Sequence, residues 1–128
     1  MSDIEVVQAV YAAMAARDFD ALFTLIDPEI VITQDPRLPW GGRFEGHDGF
    51  AAFGIALTGA ITSAVTTEAI YEADGDVNQV GRTIGTVVAT GAPFDIAEVH
   101  RWTLRDGRPV RAHFSIDTPA MLEALARD

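Results

Sequence analysis

The chain has no cysteine. Disulfides, thiolate nucleophiles and Cys-based metal sites are therefore excluded. Histidine is scarce. His47, His100 and His113 lie too far apart for a local metal motif, so neither a metal nor a cofactor is expected. Positive charge is also scarce: nine basic against 19 acidic residues give a formal net charge of −10. That sign repels phosphate backbones and anionic lipid, so nucleic acid and membrane surfaces are not expected partners. Long hydrophobic runs are missing too. The longest uncharged stretch, 49–67, holds three Gly and five Ser/Thr, too polar for a membrane span. The N-terminus, Met1-Ser2-Asp3-Ile4-Glu5, is acidic where a signal peptide is basic, and the expected location is cytoplasmic.

What is present is apolar content of 48% in 128 residues, enough for one folded domain over 1–128. Ser2 and Glu5 fit a capping box, followed by Ile4, Val7, Tyr11 and Met14 at helical spacing up to Arg17. Asp18 caps a second helix carrying Phe19, Leu22, Phe23 and Ile26, stopped at Asp27-Pro28. The first strand is predicted over Ile30–Gln34. A Pro/Gly loop over Asp35–Gly46 follows, then a third helix capped by Asp48 and ended by Gly59. Four strands are predicted next, over Val65–Ala73, Val77–Thr90, Phe94–Leu104 and Val110–Ile116, before a short helix begins at Thr118-Pro119. The order predicts an α+β fold, with helices on one face of a curved, mostly antiparallel sheet.

Three acidic residues interrupt apolar strand patterns. Asp35 ends the first strand beside a stiff loop holding Trp40, and a carboxylate in apolar surroundings has a raised pKa. It equally fits a plain Asp-Pro turn starter, and Trp40 a loop anchor. Glu98 and His100 share one face of the third meander strand with Phe94, Ile96, Trp102 and Leu104, two residues apart and able to pair. They fit either a buried structural pair or a donor pair for a developing oxyanion. Asp117 follows the last strand and also fits a helix cap. Tyr11 belongs to the core or points its hydroxyl into a pocket. An even-numbered loop after the second meander strand would set Gly85 opposite Glu98 and Gly81 opposite Trp102, making room for a ligand or a bulge. The same register turns Val80, Ile84 and Val88 outward, a stripe suited to a homodimer through the sheet face.

Three segments carry a family resemblance. They are Arg17-Asp18-Phe19-Asp20-Ala21-Leu22, then Leu38-Pro39-Trp40-Gly41-Gly42-Arg43-Phe44-Glu45-Gly46 leading into Gly49-Phe50-Ala51-Ala52-Phe53, and Arg105-Asp106-Gly107-Arg108-Pro109-Val110 with Asp117-Thr118 after it. In this order the chain resembles the SnoaL-like branch of the nuclear transport factor 2 (NTF2-like) and ketosteroid isomerase superfamily. The resemblance implies a cone whose curved sheet wraps a deep apolar pocket, usually in a homodimer. Asp35-Pro36 looks like the catalytic position of ketosteroid isomerases and Glu98 like their oxyanion-hole Asp, one methylene longer. Asp117 looks like the catalytic Asp of polyketide cyclases. Tyr11 stands one residue from the place of the isomerases' Tyr.

The expected function is binding of a small apolar molecule, with isomerase- or cyclase-like proton transfer as its catalytic form. Asp35, Glu98, His100 and Asp117 are the candidate acid/base groups. Tyr11, Trp40, Phe53, Trp102 and Phe114 are the candidate substrate contacts. A non-catalytic ligand-binding or dimeric interaction module is the alternative.

Overall fold

The computed structural model describes all of residues 1–128. Helix α1 (Asp3–Ala16) begins with the expected capping box, Ser2 and Glu5 each satisfying the other's backbone N–H. It ends on Arg17 in the left-handed conformation. Asp18 caps α2 (Phe19–Leu25) by accepting from the Ala21 N–H. Helix α3 (Gly46–Ala60) starts two residues before the expected Asp48 and runs through Gly59. Helix α4 (Thr118–Ala126) is capped by Asp117, with Pro119 in its first turn.

Six strands form one sheet: β1 (Val31–Gln34), β2 (Gly42–Glu45), β3 (Ile61–Ala73), β4 (Asp76–Val87), β5 (Pro93–Arg105) and β6 (Arg108–Ile116). Their order is β2-β1-β6-β5-β4-β3, and only β1 with β6 is parallel. The fold is therefore α+β on a curved, mostly antiparallel sheet, as the sequence predicts. Strand β2 corrects the expectation of an irregular loop over Asp35–Gly46. It is four residues long, begins on Gly42 and is followed by Gly46, both at positive φ, so its composition reads as loop. Strand β3 starts at Ile61, four residues before Val65.

Alternation along β5 is regular. Phe94, Ile96, Glu98, His100 and Trp102 are buried, while Asp95, Ala97, Val99 and Arg101 are exposed. The β4–β5 register sets Gly81 opposite Glu98 and Gly85 opposite Phe94, a slip of four from the expected pairing. The cause is that β4 ends at Val87, so the connecting turn is longer. The in/out sense is unchanged. The glycines do not open ligand space. A Cβ on Gly81 would lie 2.0 Å from the Thr66 carbonyl oxygen, and one on Gly85 1.9 Å from that of Thr62. They let β3 lie close over β4, and a bulge at Thr67/Ala69 adds bend beside Gly81.

The core sits between the concave sheet face and the helices, around Val7, Val10, Ile32, Trp102, Phe114 and Met121. On the convex face Ile84, Val88 and Val99 stay 41–54% exposed. No helix is long and apolar enough to cross a membrane.

Candidate functional site

The concave face encloses a cavity of about 70 Å³. Its walls come from α1 (Tyr11, Met14), α3 (Phe53, Leu57), the inner strands (Gln34, Ser63, Thr83, His100, Phe114) and the loop residue Trp40. No carboxylate, Arg or Lys lines it. It opens beside β3, where Ser63 and Val65 are exposed. The volume is below the ~300–1,000 Å³ of drug-sized sites, and about half the ~150 Å³ that holds a benzene. Met14 and Met121 are in its lining, and unbranched thioethers repack more readily than branched side chains.

Three side chains from two elements converge at its wall. Helix α1 brings Tyr11 over the inner face of β5, where His100 and Trp102 project two residues apart. The Tyr11 hydroxyl lies 2.7 Å from His100 Nδ1 and accepts from Trp102 Nε1–H at 3.0 Å. His100 Nε2 lies 3.2 Å from Glu98 Oε2. The Thr83 hydroxyl donates to Glu98 Oε1. Glu98 Oε2 has no well-aligned hydrogen bond, and neither has the buried Gln79 Oε1 beside this layer. The order inward to outward is Tyr11, His100, Glu98, with the carboxyl group screened from the cavity by its two neighbours.

Burial governs the titration of all three. It drives the Tyr11 phenol well above its ordinary value, so the hydroxyl stays protonated. It drives His100 down to about 3, helped by the nearby His113, so the imidazole is neutral near pH 7. It raises Glu98 above its ordinary value, opposed by hydrogen bonds from Thr83 and Gln79. Burial therefore disfavours charge on both partners of the Glu98–His100 contact. A proton on Oε2 would meet the unpartnered geometry there.

Asp35 and Asp117 stand elsewhere. Along β1, Ile32 and Gln34 point into the core, so Asp35 leaves the strand on the opposite side. It forms a forked pair with the Arg37 guanidinium, with contacts of 2.7 and 3.1 Å, and also accepts from the Arg37 backbone N–H. These bonds hold its carboxyl down to about 2. The expected apolar setting and raised pKa are thus corrected: an arginine two residues on takes the carboxylate out of the core. Asp117 caps α4 through the Ala120 N–H at 3.2 Å. Asp35 and Asp117 both line a separate polar cleft of about 440 Å³, with Arg37, His113 and Thr118. Phe114 and Ile116 form the wall between this cleft and the inner cavity.

Among the expected substrate contacts, Tyr11, Trp40, Phe53 and Phe114 line the cavity. Trp102 is fully buried behind Tyr11 and acts as its hydrogen-bond donor. Gln34 is a polar lining residue outside the candidates expected from the sequence. Its signal was available, since it follows the inward Ile32 by two. No cluster of His, Asp and Glu is arranged to hold a metal ion.

A model of the SnoaL-like domain family matches residues 7–112. No curated protein matches the chain by sequence. Similar solved structures include an NTF2-like protein of unknown function from Burkholderia pseudomallei, 23% identical over 99% of this chain and 100% of that one, with a TM-score of 0.89. TerC, co-crystallised with polyporic acid, is 24% identical over 99% and 100%, with a TM-score of 0.90. A protein from Pseudomonas putida named as a candidate polyketide cyclase is 18% identical over 98% and 99%, with a TM-score of 0.84. At these identities the likeness is one of fold.

Proposed function

The chain belongs to the SnoaL-like domain family, and on that premise we propose that its cone binds a small, neutral, apolar molecule and transfers protons to and from it. The observation that carries this reading is the Glu98–His100–Tyr11 chain ending at the wall of an uncharged cavity. The co-crystallised TerC supports ligand binding in this fold.

The proton path follows from donor and acceptor chemistry. Trp102 Nε1 can only donate, so the Tyr11 oxygen always accepts there. In one arrangement Tyr11 O–H donates to His100 Nδ1, and His100 Nε2–H faces Glu98 Oε2. In the other, Glu98 donates from Oε2 to His100 Nε2, and His100 Nδ1–H donates to Tyr11. The Tyr11 proton is then free to point at a ligand oxygen. Moving one proton along each link delivers a proton to the ligand's carbonyl oxygen while water at the open side beside β3 takes the proton from its α-carbon; the reverse sequence restores the carbonyl compound and returns the proton to Glu98. Tyr11 is the group that touches the ligand, His100 the relay and Glu98 the reservoir. Acid–base assistance of this kind is worth ~10²–10⁴ in rate. Asp35 and Asp117 have no part in this path.

The test is deuterium uptake at the α-carbons of a small ketone such as cyclopentanone in D₂O, followed by NMR. Uptake above the buffer rate that falls in Tyr11→Phe and in His100→Gln is expected. Uptake at the buffer rate with wild-type protein would refute the catalytic half of the proposal. Binding of the ketone without uptake would leave the ligand-binding alternative.

A homodimer through the convex sheet face is a second proposal, favoured by the exposed Ile84, Val88 and Val99. A monomer at micromolar concentration in sedimentation would remove it.

A further inference from the structure

Gln34 is 6% exposed and lines the inner cavity. Its side-chain amide has a fixed sense. The Trp40 indole N–H donates to Gln34 Oε1 at 2.9 Å, and an indole nitrogen can only donate. The amide oxygen must therefore face Trp40. That leaves Nε2, with two N–H donors, without a protein partner. It is not sealed in the core either: the buried polar atoms lacking partners are Gln79 Oε1 and Glu98 Oε2, and Gln34 Nε2 is not among them. It is open to the cavity.

The loop builds this arrangement on purpose-fitted geometry. Leu38 N–H bonds the Asp35 carbonyl and Gly41 N–H the Leu38 carbonyl, folding Trp40 back onto the strand end it left six residues earlier. A Cβ on Gly41 would fall 1.9 Å from the Asp35 carbonyl oxygen, so only glycine permits the fold-back. Trp40 itself is 1% exposed. The other polar groups of the lining are committed or at the mouth. Thr83 donates to Glu98, the Tyr11 hydroxyl and His100 Nδ1 engage each other, His100 Nε2 faces Glu98, and Ser63 is exposed on β3.

We infer that Gln34 is a ligand-anchoring residue, that its amide N–H groups select a molecule carrying an acceptor oxygen, and that Trp40 is the positioning residue that imposes this choice. The inference rests on the cavity binding a small molecule, and it narrows the class to neutral carbonyl or ether compounds over donor-only ones. Without Trp40's N–H the amide can turn its oxygen inward, and the preference for acceptors then relaxes.

Two ring compounds of similar size read this out: cyclopentanone, an acceptor only, and pyrrole, a donor with no comparable acceptor. Both are titrated into ¹⁵N-labelled protein by NMR, which also reports the fold of each variant. Wild type should favour cyclopentanone. In Trp40→Phe the cyclopentanone-to-pyrrole affinity ratio should fall by about fivefold, the worth of one neutral hydrogen bond. In Gln34→Leu/Trp40→Phe, which removes both partners and orphans neither, cyclopentanone should weaken by about fivefold while pyrrole is unchanged. Equal ratios in all three proteins would overturn the anchor while leaving a binding cavity. Saturable binding of neither probe to wild type would overturn the cavity reading, and the anchor with it.

Discussion

Replacing Glu98 with glutamine isolates the titration of His100 and tests the proposed buried chain directly. His100 has a folded pKa of about 3 against an ordinary 6.5, so the unfolded chain takes up the proton first. Its stability contribution is complete above pH 6.5 and is lost as pH falls toward 3. Between pH 6.5 and 5 that is about 1.5 pKa units, or ~2 kcal/mol at 1.36 kcal/mol per unit. Glu98 works in the opposite sense. Its folded pKa lies above the ordinary value, so its contribution is complete below the unfolded pKa and lost as pH rises through the folded one. Protonation of Glu98 on acidification therefore offsets part of what is lost through His100, and wild type should have the shallower slope. In Glu98→Gln the offset is gone, and the full ~2 kcal/mol loss should appear, a large share of the ~5–15 kcal/mol of a typical domain. With a urea m-value of ~2 kcal/mol/M the unfolding midpoint should drop by ~1 M between these pH values. His100→Gln should show the reverse, gaining stability on acidification. A flat profile in Glu98→Gln, or an imidazole that titrates near 6.5 by NMR in that variant, would refute the neutral buried His100 and the proton path built on it.

Other perturbations separate the remaining parts of the structure. Tyr11→Phe keeps the ring but deprives Trp102 Nε1 and His100 Nδ1 of their partner, and should cost ~1–3 kcal/mol in denaturation. Asp35→Asn should leave ketone exchange unchanged, because the residue faces the outer cleft with Arg37; a large drop in rate would return it to the candidate bases. Gly41→Ala should lower stability by ~1–3 kcal/mol, since its methyl would meet the Asp35 carbonyl, and thermal melts would register it. Ile84→Glu should abolish the proposed dimer in sedimentation with little change in circular dichroism.

Much of the fold was legible because it rests on local rules. The Ser2–Glu5 box, the Asp18 and Asp117 caps and the alternation of β5 are each written within a few residues. Strand β2 was not, because four residues that begin on one glycine and run into another carry too little pattern to stand apart from a loop. The β4–β5 register depended on where β4 ended, which a run of Thr, Val and Ala does not mark. The site divided along the same line. Glu98 and His100 were legible as neighbours on one strand. Their junction with Tyr11 spans 89 residues and exists only after folding. Asp35 and Gln34 exchanged roles for a simple reason. Alternation from Ile32 puts Gln34 inward and Asp35 outward, so the place at the cavity falls to the uncharged neighbour of the acidic residue.

The parallel pairing of β1 with β6 also bears on the order in which the molecule can assemble. The meander from β3 to β6 joins strands adjacent in the chain, and needs only short closures. Strand β1 must wait for residues 111–113, some 80 positions downstream, before it gains a partner other than the small β2. During synthesis the first third of the chain thus emerges with its hairpin unsupported and Ile32 and Trp40 uncovered. Tyr11 waits likewise for His100 and Trp102. Phe114 and Ile116 of β6 and Met121 of α4 complete the cavity, so a truncation within β6 should forfeit the site even where β3, β4 and β5 still pair.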